Sequence, residues 1–177
     1  MDPLRKAVGE RLRAARGERG LSLGALATAA EVGKGSLSEI ENGTRNPTLS
    51  TLYTLANALD LPLSQLLADR PGAEVASPGI VARLLETTTD DDGTVEVYAL
   101  SLTPGATHVS AAHGPGVVEH LLVTRGAARV GRTGSEADLG VGQQVEWVSD
   151  VEHSYRALGD RTAEAVLVIR SAAAGRG

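Results

Sequence analysis

The sequence predicts two domains of different class, a helical domain over residues 1–68 and a β-barrel over residues 80–170. Three observations carry this. Apolar residues recur every three or four positions in the first half and every second position in the other. Residues 69–79, DRPGAEVASPG, hold two Pro and two Gly without periodicity, the composition of a linker. Charge divides at the same place. Residues 1–68 carry eight Lys or Arg and seven Asp or Glu, a balance of +1; residues 69–177 carry nine and fifteen, a balance of −6, which together give the net −5. An acidic second half is repelled by phosphate, so a nucleic acid would meet the first half.

Composition narrows the class. Of 177 residues, 42% are hydrophobic and 22% charged, ordinary for a globular protein. With no Phe, one Trp and three Tyr, the core is built from Leu, Val, Ile and Ala. The aromatic platforms on which single-stranded nucleic acids stack are scarce. The absence of Cys excludes disulfides, thiolate zinc sites and thiol catalysis. No apolar run follows Arg5 and Lys6, so no signal peptide is expected. No stretch approaches the ~20 apolar residues of a membrane span. The expected location is the cytoplasm, away from membranes.

Five helices are predicted in the first half. Leu4, Val8, Leu12 and Ala15 mark one apolar face, ended by Gly20. Ser22 caps a short second helix with Leu23, Leu26 and Ala27. Glu31-Val32-Gly33 forms a turn, and a third helix runs over Lys34 to Asn42 until Gly43 stops it. Val32, Leu37 and Ile40 are expected to hold that helix to the core, with small Ala27 and Gly33 where helices cross. Thr48 caps a fourth helix carrying Leu49, Leu52, Leu55, Ala56 and Leu59, and Pro62 opens a last one ending near Leu67. The outer side of the third helix then presents Lys34, Gly35, Ser36, Ser38, Glu39 and Asn42, a shape and polarity suited to the major groove.

The run LSLGALATAAEVGKGSLSEIENGTRNPTLSTLYTLANAL resembles the helix-turn-helix of XRE-family, phage-repressor-like regulators, over about residues 7–67. The resemblance implies a lambda-repressor-like domain that binds double-stranded DNA as a homodimer. It places base readout on Lys34, Gly35 and Glu39, with Ser36 and Ser38 adjacent, and phosphate contacts on Asn42, Arg45 and Asn46. Arg16 and Glu41 match the family's ion pair between the first and third helices. Leu23 stands where the family often has a phosphate-binding Gln.

The second half reads as strands. Val95, Val97 and Ala99 alternate with Glu96, Tyr98 and Leu100; Asp90-Asp91-Asp92-Gly93 is a turn. Apolar runs follow at 117–124, 127–130, 144–148 and 163–169, a spacing typical of a sandwich or barrel. The tail 171–177, SAAAGRG, is expected to be disordered.

These residues are similar to a cupin, a jelly-roll barrel. Gly105, Ala111, His113, Glu119 and Gly126 fall on the pattern G-x5-H-x-H-x3/4-E-x6-G, with one extra residue between His113 and Glu119. Gly142, Val148, Asp150, His153 and Ala157 fall on G-x5-P-x-G-x2-H-x3-N. The resemblance implies a ligand or metal site at His113, Glu119 and His153, incomplete because Ala111 replaces a His. Residues two apart on a strand share a face, which would turn positions 111 and 113 inward together. Two His and a carboxylate suit a divalent Zn, Ni or Fe. The same three residues equally suit a metal-free hydrogen-bonded pocket, and both remain open. His108, five residues from His113, is expected to face outward, as is His120. Trp147 and Tyr155 either line the pocket or simply pack.

The expected function is a transcriptional regulator, not an enzyme. Its barrel would sense a small-molecule effector or metal and provide the dimer interface. A cupin dioxygenase or isomerase tethered to DNA is the alternative. A module that binds a protein partner, like an antitoxin, is a third.

Overall fold

A computed structural model describes residues 3–67 and 70–172. The chain folds as two compact units that part between Arg70 and Pro71.

The first unit holds α1 (Pro3–Glu18), α2 (Leu23–Ala29), α3 (Lys34–Glu41), α4 (Leu49–Ala58) and α5 (Leu63–Leu66). Each starts and stops where local chemistry requires. The Ser22 and Thr48 side chains accept from the backbone N–H of Ala25 and Thr51, satisfying first-turn donors that have no partner within the helix. Gly43 follows α3 at φ +68°, the left-handed conformation that ends helices. Pro62 is the N-cap of α5 rather than a residue of its first turn. The apolar faces meet in a core containing Leu12, Leu26, Leu37, Ile40, Leu52, Leu55 and Leu59, each at most 2% exposed. Val32 is only half-buried.

The close helix crossing does not lie at Gly33, where an added Cβ would meet only Ser36 Oγ at 3.6 Å. It lies at Gly9, where a Cβ would stand 2.5 Å from the Ile40 carbonyl oxygen and 2.9 Å from that of Glu41. Because α3 ends against Gly9, α1 sets the depth at which α3 sits. The same seam carries an ion pair. Arg16 donates from Nε to Glu41 Oε1 at 2.7 Å and from Nη2 to Oε2 at 2.8 Å, and Glu41 is buried.

The second unit contains β1 (Glu74–Ser77), β2 (Ile80–Asp90), β3 (Gly93–Leu102), β4 (Thr107–Ser110) and β5 (Val118–Arg125). It continues with β6 (Ala127–Arg132), β7 (Ala137–Gly140), β8 (Gln144–Val148), β9 (His153–Ala157) and β10 (Ala163–Ala172). They form two antiparallel sheets, ordered β1-β2-β3-β10-β5-β8 and β4-β9-β6-β7. Burial alternates along the strands, so β3 turns Glu96, Tyr98, Leu100 and Leu102 inward. The Asp90 carboxylate accepts from the N–H groups of Asp92 and Gly93 and closes the β2–β3 turn. Gly126, at φ +72°, turns β5 into β6 where a Cβ would meet the Thr162 carbonyl oxygen at 2.9 Å.

Two boundaries differ from the sequence-based expectation. The segment 69–79 is not a plain linker, because Glu74–Ser77 form β1 and pair with β2. Pro78 and Gly79, with Gly79 at φ +85°, are the turn of that hairpin. Pro and Gly mark linkers and tight turns alike. Ser171 and Ala172 still belong to β10, opposite Thr94 and Gly93, because the partner strand continues there. The expected disorder of 173–177 lies outside the described residues.

The Gly9 contact gives a sign test. Gly9→Ala should destabilise the helical unit by about 1–3 kcal/mol, since the new methyl forces two backbones apart. Gly17→Ala, in the same helix with nothing within 4 Å, should stabilise it by about 0.5–1 kcal/mol. Urea unfolding followed by circular dichroism at 222 nm measures both, and equal signs would contradict the crossing.

Candidate functional site

The third helix of the first unit presents its polar side to solvent. Leu37, Ile40 and Glu41 face the core, while Lys34, Gly35, Glu39 and Asn42 are exposed and Ser36 and Ser38 half-buried. Positions 34, 38 and 42, and 35 and 39, stack along the helix axis by the 3.6-residue period. Arg45 and Asn46, also exposed, follow directly. Arg45 Nη1 lies 3.2 Å from Glu39 Oε2, so one expected backbone contact is paired with one expected base reader. Thr44 Oγ1 donates to the Glu39 carbonyl at 3.0 Å and ties the chain to the end of α3. Sequence reasoning missed Arg13 on α1, whose Nη2 donates to Asn42 Oδ1 at 2.6 Å.

The barrel gathers its own cluster. His113, Glu119 and His153 offer ligand atoms within 4.8 Å of one another. His113 Nε2 and His153 Nε2 each lie 3.1 Å from Glu119 Oε1. Glu119 stands on β5, directly beside Trp147 of β8 and two strands from Glu96 of β3. Two hydroxyls donate to its carboxylate, Ser149 Oγ to Oε1 at 2.7 Å and Tyr155 Oη to Oε2. Tyr155 therefore lines the site as well as packing. Trp147 packs 5.9 Å from both His153 and Tyr155, centroid to centroid. Val151 O accepts from His153 Nδ1 at 3.0 Å, which turns His153 Nε2 toward Glu119.

Three expectations are corrected here. β4 ends at Ser110, so strand parity does not extend to 113. Ala111 is exposed and does not line the site. His113 arrives on the loop 111–117, anchored by its N–H to the Ser149 carbonyl at 2.7 Å. For the same reason the offset of five does not turn His108 outward. It is 3% exposed, on the inner side of β4 and 6.1 Å from the Tyr155 ring. His120 does face outward, with Nε2 2.8 Å from Glu146 Oε2.

Charge in the cluster follows from contact. Burial would raise the Glu119 carboxyl, but the facing His113 and His153 outweigh it and hold Glu119 well below the usual carboxylate range. Burial lowers His153, yet the Glu119 carboxylate and the Val151 carbonyl together raise it above its ordinary value. His108 faces no carboxylate, and burial first, then the His153 charge, outweigh its hydrogen bond with the Pro78 backbone and push it down to about 4. Its Nε2 makes no hydrogen bond among the described residues.

The helix-turn-helix family HTH_3 matches residues 12–66. The HTH-type transcriptional regulator SutR of Escherichia coli strain K12 is 31% identical over 166 residues, covering 92% of this chain and 93% of that protein. The chain belongs to the XRE-type helix-turn-helix transcriptional regulators. The transcriptional regulator ClgR of Mycobacterium tuberculosis is 42% identical over 66 residues, 37% of this chain and 59% of that one. The crystal structure of an HTH_3 family transcriptional regulator from Vibrio cholerae superposes with a TM-score of 0.83 at 26% identity, covering 96% of this chain and 98% of that one. Both units of this regulator thus recur together in relatives. No helix among the described residues is long and apolar enough to cross a membrane.

Burial of His108 should make the regulator's barrel acid-sensitive. Its folded pKa lies below the unfolded value near 6.5. Its contribution is therefore present above pH 6.5 and lost as pH falls toward about 4. The melting temperature of the barrel should drop through that window, and His108→Gln should flatten the drop. An unchanged acid limb in the variant would contradict the assignment.

Proposed function

We propose that α3 enters the major groove of duplex DNA and that the barrel cluster holds the effector that modulates this binding. Lys34 donates to guanine O6 and N7, and Glu39 accepts from cytosine N4 once Arg45 releases it to a phosphate. Gly35 lets the backbone approach, while Ser36 and Ser38 stand beside the base edges. Asn42, Arg45 and Asn46 fix the register on phosphates. Two copies read two half-sites as a homodimer, with the barrel as the joining element. The observation that carries this is the α3 face itself, polar and open while Leu37 and Ile40 hold its other side in the core.

The barrel donor set fits a divalent Zn, Ni or Fe ion. Bonds of about 2.1 Å leave neighbouring ligand atoms roughly 3.0–3.4 Å apart, and both imidazole nitrogens lie 3.1 Å from Glu119 Oε1. His153 Nε2, buried and aimed at the Glu119 carboxylate, is placed as a ligand to a cation shared with Glu119 would be. His113, Glu119 and His153 would hold the ion, which would supply a Lewis-acidic position for an anionic or carbonyl ligand. Ser149 and Tyr155 orient the carboxylate. Because His113 sits on a loop with Gly114 and Gly116, occupancy orders that loop, and the difference between the two states is what a sensor passes on. The three-donor set also favours a second reading, a metalloenzyme tethered to DNA, since three ligands leave a coordination position open.

Fluorescence anisotropy with labelled duplex from upstream of the regulator's own gene tests the first part. Lys34→Ala should weaken binding by about 1–3 kcal/mol. Arg45→Ala should weaken it and lower the salt slope by about 0.9. Binding unchanged in both would reject the assigned helix. Elemental analysis of purified protein tests the second. One equivalent of metal, lost in Glu119→Gln and altering operator affinity on removal, is expected. Affinity indifferent to the metal would reject the sensor.

A further inference from the structure

We infer that the DNA-facing surface extends onto α1, where Arg13 orients the Asn42 side-chain amide for a phosphate. The inference rests on the proposal that α3 enters DNA. An Asn amide has an accepting end and a donating end. A guanidinium can only donate, so the Asn42 oxygen must face Arg13 Nη2, 2.6 Å away. The two N–H donors of Nδ2 therefore point elsewhere, and Asn42 is exposed and has no other side-chain partner among the described residues. A phosphate, which only accepts, needs that orientation. The flipped amide would present its oxygen to the phosphate and be repelled.

Arg13 is itself held in place from below. Its Nε lies 3.4 Å from Glu41 Oε2, the same carboxylate that Arg16 grips with two bonds. One buried carboxylate thus faces two guanidinium groups, leaving one positive charge in excess at this seam. That charge sits on the exposed partner, since the Arg13 side chain is 55% exposed against 18% for Arg16. Arg13 is a positioning residue, acting through Asn42, with Glu41 as its anchor. A lysine at 13 would keep the charge but, as a single ammonium group, could not span both Glu41 and Asn42 in a fixed plane.

The test is a double-mutant cycle on the full-length chain, read by anisotropy with the upstream duplex. Asn42→Ala should weaken binding about tenfold, the scale of a hydrogen bond to a charged group. Arg13→Lys should weaken it nearly as much although charge is kept. The double variant should be no weaker than the weaker single one, because both remove the same contact. Asn42→Asp, which still accepts from Arg13 but has no N–H to give, should also lose about tenfold. Thermal melts of each variant show whether the fold is kept, and Asn42→Asp decides the matter if Arg13→Lys is unstable. Wild-type affinity in Arg13→Lys or Asn42→Asp, or losses that multiply in the double variant, would overturn the role. If Lys34→Ala and Arg45→Ala also bind normally, the groove assignment itself falls, and this inference with it.

Discussion

A carboxylate can be buried as an anion only if the groups around it replace the water it gives up. Each unit of this regulator is organised by one such carboxylate. Glu41 joins α1 to α3 because Arg16 meets both of its oxygens and Arg13 approaches one. Glu119, fully buried, is met by the hydroxyls of Ser149 and Tyr155 and by the imidazoles of His113 and His153. In both cases donors come from elements distant in sequence, so the carboxylate holds the topology as well as the charge. Removing the donors while leaving the anion would be worse than removing both.

Neighbouring features follow from these two anchors. The Gly9 approach and the Arg16–Glu41 pair fix α3 at one depth and one rotation. Its outward residues are then set by the helical period alone. In the barrel, Tyr155 serves Glu119 with its hydroxyl and packs its ring against His108, Trp147 and His153. The inner wall is thereby rigid on the β8 and β9 side. On the other side His113 hangs from a glycine-containing loop.

The helices were legible because their signals are local. Ser22, Thr48 and Gly43 act within three or four residues, and the structure shows all three in the expected roles. The Arg16–Glu41 pair was legible by family resemblance. The barrel was less so, because strand parity holds only while a strand lasts. The end of β4 at Ser110 is not written in Thr107–Ser110, and every inference about 108, 111 and 113 turned on it. The β1–β2 hairpin was misread because Pro78 and Gly79 signal a turn and a linker with the same two letters. Arg13 and Ser149 gave no signal at all, since their partners lie 29 and 30 residues away, whereas Tyr155, read as lining the pocket or packing, does both.

Protonation decides what the barrel site can accept. The Val151 carbonyl can only accept, so His153 Nδ1 must carry a proton, and a neutral ring then has its lone pair on Nε2 facing an anion. A lone pair against a carboxylate is repulsive. Two states remove the repulsion: a proton on Nε2, which is why His153 titrates above its ordinary value, or a cation shared with Glu119. A proton and a bound metal ion would therefore compete for one nitrogen. Each step toward acid would favour the proton, so affinity for a divalent ion would fall as pH drops through the His153 transition.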